Sequence, residues 1–372
     1  MSSSSSQKNK EEKQKQRRKL SLSKILSTQY QIQNKNLIQA LLAISESSVT
    51  ISNILSNYIN HVYAGTRNKS GDHQLQLDID CDNAVFDEIK KSNVFHFAVS
   101  EETPIETFVG KTVNDDDDDD DDNQYYNIGF DPLDGSSIID ANFSVGSIFG
   151  IWPSSSSSSS NKKDDKNGGI LHQKGIDQVA SAVTLYGPRT TLCIALPKKS
   201  TSLGKDVVLE VTLTNTNNND NHNNDNDNNG EGLIWQVSKP NIQIQSKGKI
   251  FAPGNLRASN DNDKYNNLIQ HYIQERYTLR YTGGMVPDVY HIFTKSKGVF
   301  TNVSSTKAKA KLRLLYEVAP MGLIVECAGG NTTHEEYDSS VLDISIDDLD
   351  QRCGVCFGSS DEVAIFKKFM FE

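Results

Sequence analysis

A layered α/β fold in two halves is predicted by three features of the 372-residue sequence. Strand-like runs alternate with helix-period segments along its length. Four biased stretches, 1–20, 114–123, 154–167 and 213–232, are too polar to pack, and they read as a tail and as low-complexity loop insertions. Roughly 300 residues remain once these are set aside, ample for a large buried core.

The N-terminal 1–35 is expected to be a disordered tail, because its basic run 8–19 reads as solvated charge. Leu37, Leu41, Ile44, Ile51, Leu55 and Tyr58 then fall at helical spacing and predict a long core helix. Asp82 is placed to cap a second helix that runs through Ile89. Phe95, Phe97 and Val99 alternate as a short strand that stops at Ser100-Glu101-Glu102. A strand-like run 125–130 comes after the aspartates and stops at Asp131-Pro132-Leu133-Asp134-Gly135-Ser136-Ser137. From Trp235 the compact pattern resumes, with a helix carrying Tyr265, Leu268, Ile269, Tyr272 and Ile273, a strand at 298–303, and a buried helix opening at Pro320 and closing at Gly329. The halves are expected to span 36–231 and 232–372.

Charge and cysteine usage exclude several classes. The eight aspartates of 115–122 carry most of the net charge of −10, so the folded body is nearly neutral. No face rich in Lys and Arg is left for a phosphate backbone, and nucleic acid is not an expected partner. No run approaches the roughly 20 apolar residues of a bilayer span, so no membrane partner is expected either. Five cysteines, odd in number and scattered from Cys81 to Cys356, do not read as a disulfide framework. A reducing compartment is the consequence. The N-terminus lacks an apolar signal core and carries Glu11 and Glu12, so the cytoplasm is expected, with a plastid left open.

Three acidic clusters sit where a strand or helix ends: Glu101-Glu102, Asp131 with Asp134, and Glu317 before Ala319-Pro320. In the 131–137 turn the proline stiffens the chain and two carboxylates bracket it. Gly135 lets the chain enter a helix whose free N–H groups favour phosphate. If the carboxylates converge, repulsion protonates some of them unless cations intervene. Oxygen donors without nearby His or Cys select Mg²⁺ or Mn²⁺ over zinc.

The run Phe130-Asp131-Pro132-Leu133-Asp134-Gly135-Ser136-Ser137 resembles the signature of the metal-dependent sugar-bisphosphate phosphatases, the family that includes fructose-1,6-bisphosphatase. The stretches 186–191 (YGPRTT), 278–289 (TLRYTGGMVPDV) and 309–320 (KAKLRLLYEVAP) resemble its sedoheptulose-bisphosphatase branch. The likeness runs from about Asp72 to Phe366, interrupted by the biased insertions.

The resemblance implies an αβαβα sugar-phosphatase fold, with a metal and 1-phosphate site in the first half and a sugar and distal-phosphate site in the second. Glu101, Glu102, Asp131, the carbonyl of Leu133, Asp134 and Glu317 match the family's metal ligands, for two or three Mg²⁺ ions with Mn²⁺ as a substitute. Asp78 matches a carboxylate that orients or deprotonates the attacking water, with Glu102 as its partner. Asp134, Gly135, Ser136 and Ser137 match the 1-phosphate cradle, and Asn255, Arg280, Tyr281 and Lys311 the pocket for the sugar and its distal phosphate. The implied reaction is removal of the 1-phosphate of sedoheptulose 1,7-bisphosphate. Fructose 1,6-bisphosphate is the rival substrate, and a silent sugar-phosphate-binding protein is the reading from another class. Arg280 reaching across a subunit boundary implies a homodimer or homotetramer.

Departures from the family narrow these expectations. Ala258 and Asn302 stand where the fructose enzymes carry tyrosines, which fits a longer sugar. Nothing in 27–48 resembles the family's AMP-binding turn, and 123–129 holds no regulatory cysteine pair. Cys353-Gly354-Val355-Cys356 reads as two small residues near a core strand.

Overall fold

The computed structural model describes residues 2–58, 63–67, 73–110, 124–154, 169–215 and 232–372. The aspartate run and most of the Ser and Asn/Asp tracts lie outside them.

Among the described residues, five layers stack as helix, sheet, helix, sheet, helix. The first holds α1 (Ser2–Lys24), α2 (Lys35–Ser56) and α3 (Gln76–Ser92). A small ribbon of β1 (Tyr63–Arg67) and β2 (His73–Leu75) precedes α3. The large sheet is built from β3 (Phe95–Ser100), β4 (Thr107–Phe108), β5 (Tyr126–Asp134), β6 (Val145–Pro153), β7 (Ala180–Tyr186), β8 (Thr190–Leu196), β9 (Val207–Asn215) and β10 (Leu233–Lys239). Its order is β10-β9-β8-β7-β6-β5-β3-β4, antiparallel except where β3 and β5 run parallel.

The second half adds β11 (Ile250–Pro253), α4 (Asp263–Gln274), β12 (Thr278–Leu279), α5 (Met285–Lys295), β13 (Val299–Asn302), α6 (Ala319–Cys327), β14 (Asn331–His334), β15 (Val355–Gly358) and α7 (Ser360–Phe371). Its five strands form a mixed sheet of order β12-β11-β13-β15-β14. Helices α5 and α6 lie between the sheets, and α4 and α7 cover the outer face.

Period-two alternation sorts the core. Leu209 and Ile194 face α1–α3, while their neighbours Val208 and Cys193 face α5 and α6. Phe300 and Phe357 look inward from the second sheet, and Val299 and Cys356 look outward to α4 and α7. The middle layer packs close. A Cβ on Gly146 of β6 would meet Val286 Cγ1 of α5 at 2.3 Å, so only glycine admits this approach.

Side chains set the helix starts. Asn34 caps α2 by accepting the Leu37 N–H at 3.0 Å, and Asn262 caps α4 through Tyr265 N–H at 3.0 Å. Pro320 sits in the first turn of α6, where its missing N–H costs nothing.

Four expectations are corrected. Residues 1–35 do not read as a disordered tail, because α1 continues through a π-type turn (Ile25–Gln29) and buries Leu22, Leu26, Tyr30 and Ile32. The charged face of α1 is seated by pairing, with Arg18 on Glu46 and Lys15 on Glu88. The halves do not divide at 231, since β10 returns antiparallel to β9 and the polar insertion joins two strands of one hairpin. Asp82 caps nothing and lies inside α3, its carboxylate engaged by Thr103. Finally, the 22-residue α2 is long and apolar enough to cross a membrane by length and composition, but most of it is buried in the core.

Candidate active site

Two carboxylates three residues apart on a regular strand would face opposite sides of the sheet. Strand β5 escapes this at its end. Asp131 pairs with Ile148 and Asp134 with Gly146, so β5 spends one residue more than β6 over that interval. This bulge falls at Pro132, which has no N–H to give the ladder, and it turns both carboxylates to one side. Asp131 Oδ1 accepts the Leu133 N–H at 2.9 Å, and the Ser147 hydroxyl ties the Pro132 carbonyl at 2.7 Å.

Glu317 arrives from the second half on a π-type turn, Leu314–Val318, that leads into α6. One carboxylate oxygen each from Asp131, Asp134 and Glu317 lie within 4.8 Å of one another. All three residues are buried. Asp134 Oδ2 accepts the Val286 N–H at 2.6 Å and Oδ1 the Met285 N–H at 3.3 Å, both from the first turn of α5. Glu317 Oε2 accepts the Arg313 N–H at 2.6 Å.

Such crowding disfavours ionisation. Burial, then the charges of Glu101, Asp134 and Glu317, push Asp131 well above the ordinary carboxylate range. Burial raises Asp134 to about 6 against its two backbone donors, and burial with Glu101 raises Glu317 despite the nearby Arg313. Three buried oxygen donors that resist carrying their charges together fit a hard divalent cation, which supplies the missing positive charge.

Glu101 comes directly after β3, its N–H held by the Phe130 carbonyl at 3.1 Å. Its carboxylate pairs with Arg313 Nη1 at 2.6 Å, and Arg313 Nε also donates to Asp350 Oδ1 at 3.1 Å. Arg313 thus stands between the Glu101 carboxylate and the segment carrying Glu317. Glu102 is one residue on, in a turn closed by Thr103 N–H to Ser100 Oγ at 2.8 Å and by the Thr103 hydroxyl to Asp82 Oδ2 at 3.0 Å. Burial raises Asp82 to about 6, with the Glu102 charge adding to the shift. Asp78 is buried one turn before Asp82 on α3, the helix packed against β3 and β5. The structure gathers Asp131, Asp134 and Glu317 tightly and ties Glu101 in through Arg313; Glu102 and Asp78 are not part of its 4.8 Å trio.

The expected phosphate cradle takes a different local form. Gly135 adopts φ +89°, open to glycine, and the next residues, Ser136–Ala141, form a short 3₁₀ helix of two turns, not an α-helix. Its first N–H groups, those of Ser136 and Ser137, are the ones that such a helix leaves without intrahelical acceptors.

The residues expected to hold the sugar are more dispersed. The Asn255 amide donates to the Val303 and Ala308 carbonyls at 2.9 and 3.0 Å, so its nitrogen braces the 303–308 segment. Its Oδ1 is buried without a hydrogen-bond partner among the described residues, as is Oδ1 of Asn302. Tyr281 is half exposed and donates to the Gly254 carbonyl at 3.3 Å. Arg280 and Lys311 are exposed. Asp288 holds the intervening loop by accepting the Thr282 N–H at 2.7 Å, and burial raises its carboxyl to about 6.

Sequence reasoning overlooked Arg313, Asp350 and Asp288, and took Asp82 for a helix cap. Arg313 carried a signal, a cation flanked by Leu312 and Leu314 four residues before Glu317. The other three depend on contacts between distant segments.

Two family profiles match the chain in succession. The family profile of the fructose-1-6-bisphosphatase N-terminal domain matches residues 21–207, and that of the C-terminal domain matches 244–371. The chain is 43% identical over 304 residues to the chloroplastic sedoheptulose-1,7-bisphosphatase of Spinacia oleracea, covering 82% of this chain and 66% of that protein. It is 31% identical to the class 1 fructose-1,6-bisphosphatase of Geobacter sulfurreducens, covering 90% and 91%. The holo crystal structure of Leishmania major fructose-1,6-bisphosphatase superposes with a TM-score of 0.76 at 28% identity, over 94% of this chain and 98% of that one.

Proposed function

Because this chain belongs to the fructose-1,6-bisphosphatase family, we propose that it is a phosphoric monoester hydrolase that removes the 1-phosphate of sedoheptulose 1,7-bisphosphate. The products are sedoheptulose 7-phosphate and inorganic phosphate, and fructose 1,6-bisphosphate is the lesser substrate. The convergence of Asp131, Asp134 and Glu317 beside the Gly135 turn carries this reading. Enzymes of the family are metal-dependent, and two or three Mg²⁺ ions, or Mn²⁺, suit a donor set made only of oxygens.

Asp131, Asp134, Glu317 and Glu101 would hold the cations, with Glu102 and the Leu133 carbonyl completing the set. Cations bound there supply a Lewis acid for the phosphoryl oxygens and lower the pKa of water. The chain's own groups do the rest. The N–H groups of Ser136 and Ser137 orient the phosphate, as the flexible Gly135 backbone permits. Asp78, buried on α3, takes the proton of the attacking water, with Glu102 beside the Asp82-braced turn as its partner. Arg313 fixes the Glu101 carboxylate, so that ligand does not have to be ordered during turnover.

Lys311, Arg280, Tyr281 and Asn255 serve the sugar and its far phosphate. Exposed Leu279, Arg280 and Tyr281 at the edge of the second sheet suit a subunit boundary, consistent with a homodimer or homotetramer. Five unpaired, buried thiols suit a reducing compartment, and the cytoplasm is the proposed location. Phosphate release from the purified full chain, offered each bisphosphate with and without Mg²⁺, tests the assignment. Turnover of the seven-carbon substrate only with the metal is expected; no release from either substrate rejects it.

A further inference from the structure

Tyr186 opens the 186–191 stretch at the end of β7, buried and far in sequence from the carboxylates of the acidic cluster. Its hydroxyl lies 2.8 Å from Ser147 Oγ on β6, and Ser147 Oγ lies 2.7 Å from the buried Pro132 carbonyl at the bulge of β5. The donors fix the direction of both bonds. A carbonyl can only accept and a serine hydroxyl carries one proton, so Ser147 donates to Pro132 and Tyr186 donates to Ser147. A hydroxyl that accepts one hydrogen bond is a better donor in the next.

The peptide unit that Ser147 grips is shared with the cluster. Its carbonyl belongs to Pro132 and its N–H to Leu133, and that N–H donates to Asp131 Oδ1 at 2.9 Å. In a planar trans peptide the two groups point in opposite directions, so fixing the carbonyl fixes the aim of the N–H. Three hydrogen bonds therefore run in series from the phenol of Tyr186 to the carboxylate of Asp131. The tyrosine is itself seated from α2. Thr184, two residues back on β7, lies 2.7 Å from the Ser48 hydroxyl, and Thr190, paired with Tyr186 across the turn to β8, lies 2.7 Å from that of Ser52.

We propose that Tyr186 is a positioning residue of the active site: through Ser147 and the Pro132–Leu133 peptide it holds the Asp131 carboxylate in the orientation that takes up a divalent cation. The inference rests on the reading of Asp131 as a cation ligand and adds to it a residue outside the ligand set. With the relay cut, the carboxylate stays in place but is free to turn. Cations then bind more weakly, while the sugar and its far phosphate are held as before. Because the effect passes through Ser147, losing both hydroxyls does no more harm than losing that of Ser147.

The test uses Tyr186→Phe, Ser147→Ala and the double variant in the full chain, with Mn²⁺ alone as the probe. Free Mn²⁺ measured by electron paramagnetic resonance should show affinity weakened about fivefold in Tyr186→Phe, the effect of one lost hydrogen bond, and about tenfold or more in Ser147→Ala. The double variant should match Ser147→Ala within about twofold, the non-additivity of groups that act in series. In turnover the Mg²⁺ concentration for half-maximal rate should rise by the same factors, with KM for sedoheptulose 1,7-bisphosphate changed less than about twofold. A tyrosine that merely supports the fold would lower Tm in chelator and leave Mn²⁺ affinity where it was. That result overturns the proposal, as do effects that multiply in the double variant. Tyr186→Phe keeps the ring and its packing, so its Mn²⁺ affinity decides the matter even if Ser147→Ala does not fold. A wild type that binds no Mn²⁺ overturns the proposal too, whereas one that binds Mn²⁺ through the relay but releases no phosphate rejects hydrolysis and upholds the relay.

Discussion

The carboxylate of Asp134, at the bulged end of β5, accepts the backbone N–H of Val286 at 2.6 Å in the first turn of α5. One acidic side chain therefore joins the large sheet to a helix of the second half, and does so at the positive end of that helix. The contact also explains how a buried acid can sit among others. Two backbone donors offset part of its cost before any cation arrives.

Replacing Asp134 with Asn should lower kcat by about 10²-fold or more, by analogy with the loss of one preorganised charge-stabilising group. The amide oxygen can still accept from Val286, so the fold persists. Circular dichroism and steady-state kinetics on the same preparation check both halves of the expectation. Activity within threefold of the wild type would remove Asp134 from the site.

Metal removal should make stability fall as pH rises. Asp134, near 6 when folded and about 4 when unfolded, holds a proton in the folded state that the unfolded chain has already lost between those values. Its contribution is full below pH 4 and is lost on the way to pH 6, an effect of about 3 kcal/mol; Asp131 and Glu317 act in the same direction. Thermal unfolding in chelator should therefore show a lower Tm at pH 7 than at pH 5. Added Mg²⁺ should recover more at pH 7. A chelated protein more stable at pH 7 would contradict the crowding described for the three acids.

Arg313→Met should lower kcat/KM at least tenfold, because it frees Glu101 and takes from Asp350 its nearer cation, leaving Arg352 at 3.8 Å. Breaking a buried pair from one side costs about 3–5 kcal/mol, so the melting temperature should drop as well. Arg313→Lys should recover only part of each, since one ammonium cannot span two carboxylates as a guanidinium does. Full recovery by lysine would show that charge alone suffices.

The ion pair that seats α1 gives a stability prediction remote from the active site. Arg18 binds Glu46 through Nε at 3.3 Å and Nη2 at 2.8 Å, with both residues buried. Glu46→Gln should cost about 3–5 kcal/mol in denaturant unfolding, whereas the double change Arg18→Met/Glu46→Leu should recover most of it. A single variant within about 0.5 kcal/mol of the wild type, a typical surface effect, would mean that α1 is not held here.

Redox treatment should leave activity unchanged within about twofold, a margin set by the small energies of surface effects. All five cysteines are free and buried. Burial pushes the Cys353 thiol up to about 12 and raises Cys356 well above the ordinary thiol range, so neither offers the thiolate that exchange requires. Kinetics before and after dithiol treatment check this. Activation by reduction that disappears in Cys356→Ser would assign the pair a regulatory role.

Elements with a clear period were legible in the sequence: α2, β3, α4, β13 and the buried helix at Pro320 all lie where apolar spacing put them. The acids of 131–134 were legible as a bracketed turn, but not the bulge that turns them together, which depends on the partner strand β6. Helix α1 was not, because its charged residues resemble a solvated tail until Glu46 and Glu88 are seen beneath them. The insertion before β10 imitated a linker, since composition records polarity and not which strands it joins. Arg313 was hidden for a related reason: its meaning lies in Glu101, which only the folded topology brings to it.

Helix α1 is made well before one of its resting places. Ser21 donates to the carbonyl of Trp235 on β10, and α1 lies along that strand. At about 5–20 residues per second, a ribosome needs on the order of 10–40 s to deliver β10 after α1 has left the tunnel. During that interval α1 can hold α2 through Arg18 and Glu46 and α3 through Lys15 and Glu88, with Leu22 and Leu26 waiting for the complete sheet. The biased insertions lengthen the wait but add little thermodynamic penalty, because each doubling of a loop costs only about 0.6 kcal/mol. The nascent chain is thus vulnerable to aggregation at α1, and a chaperone that recognises this helix would protect it until β10 arrives.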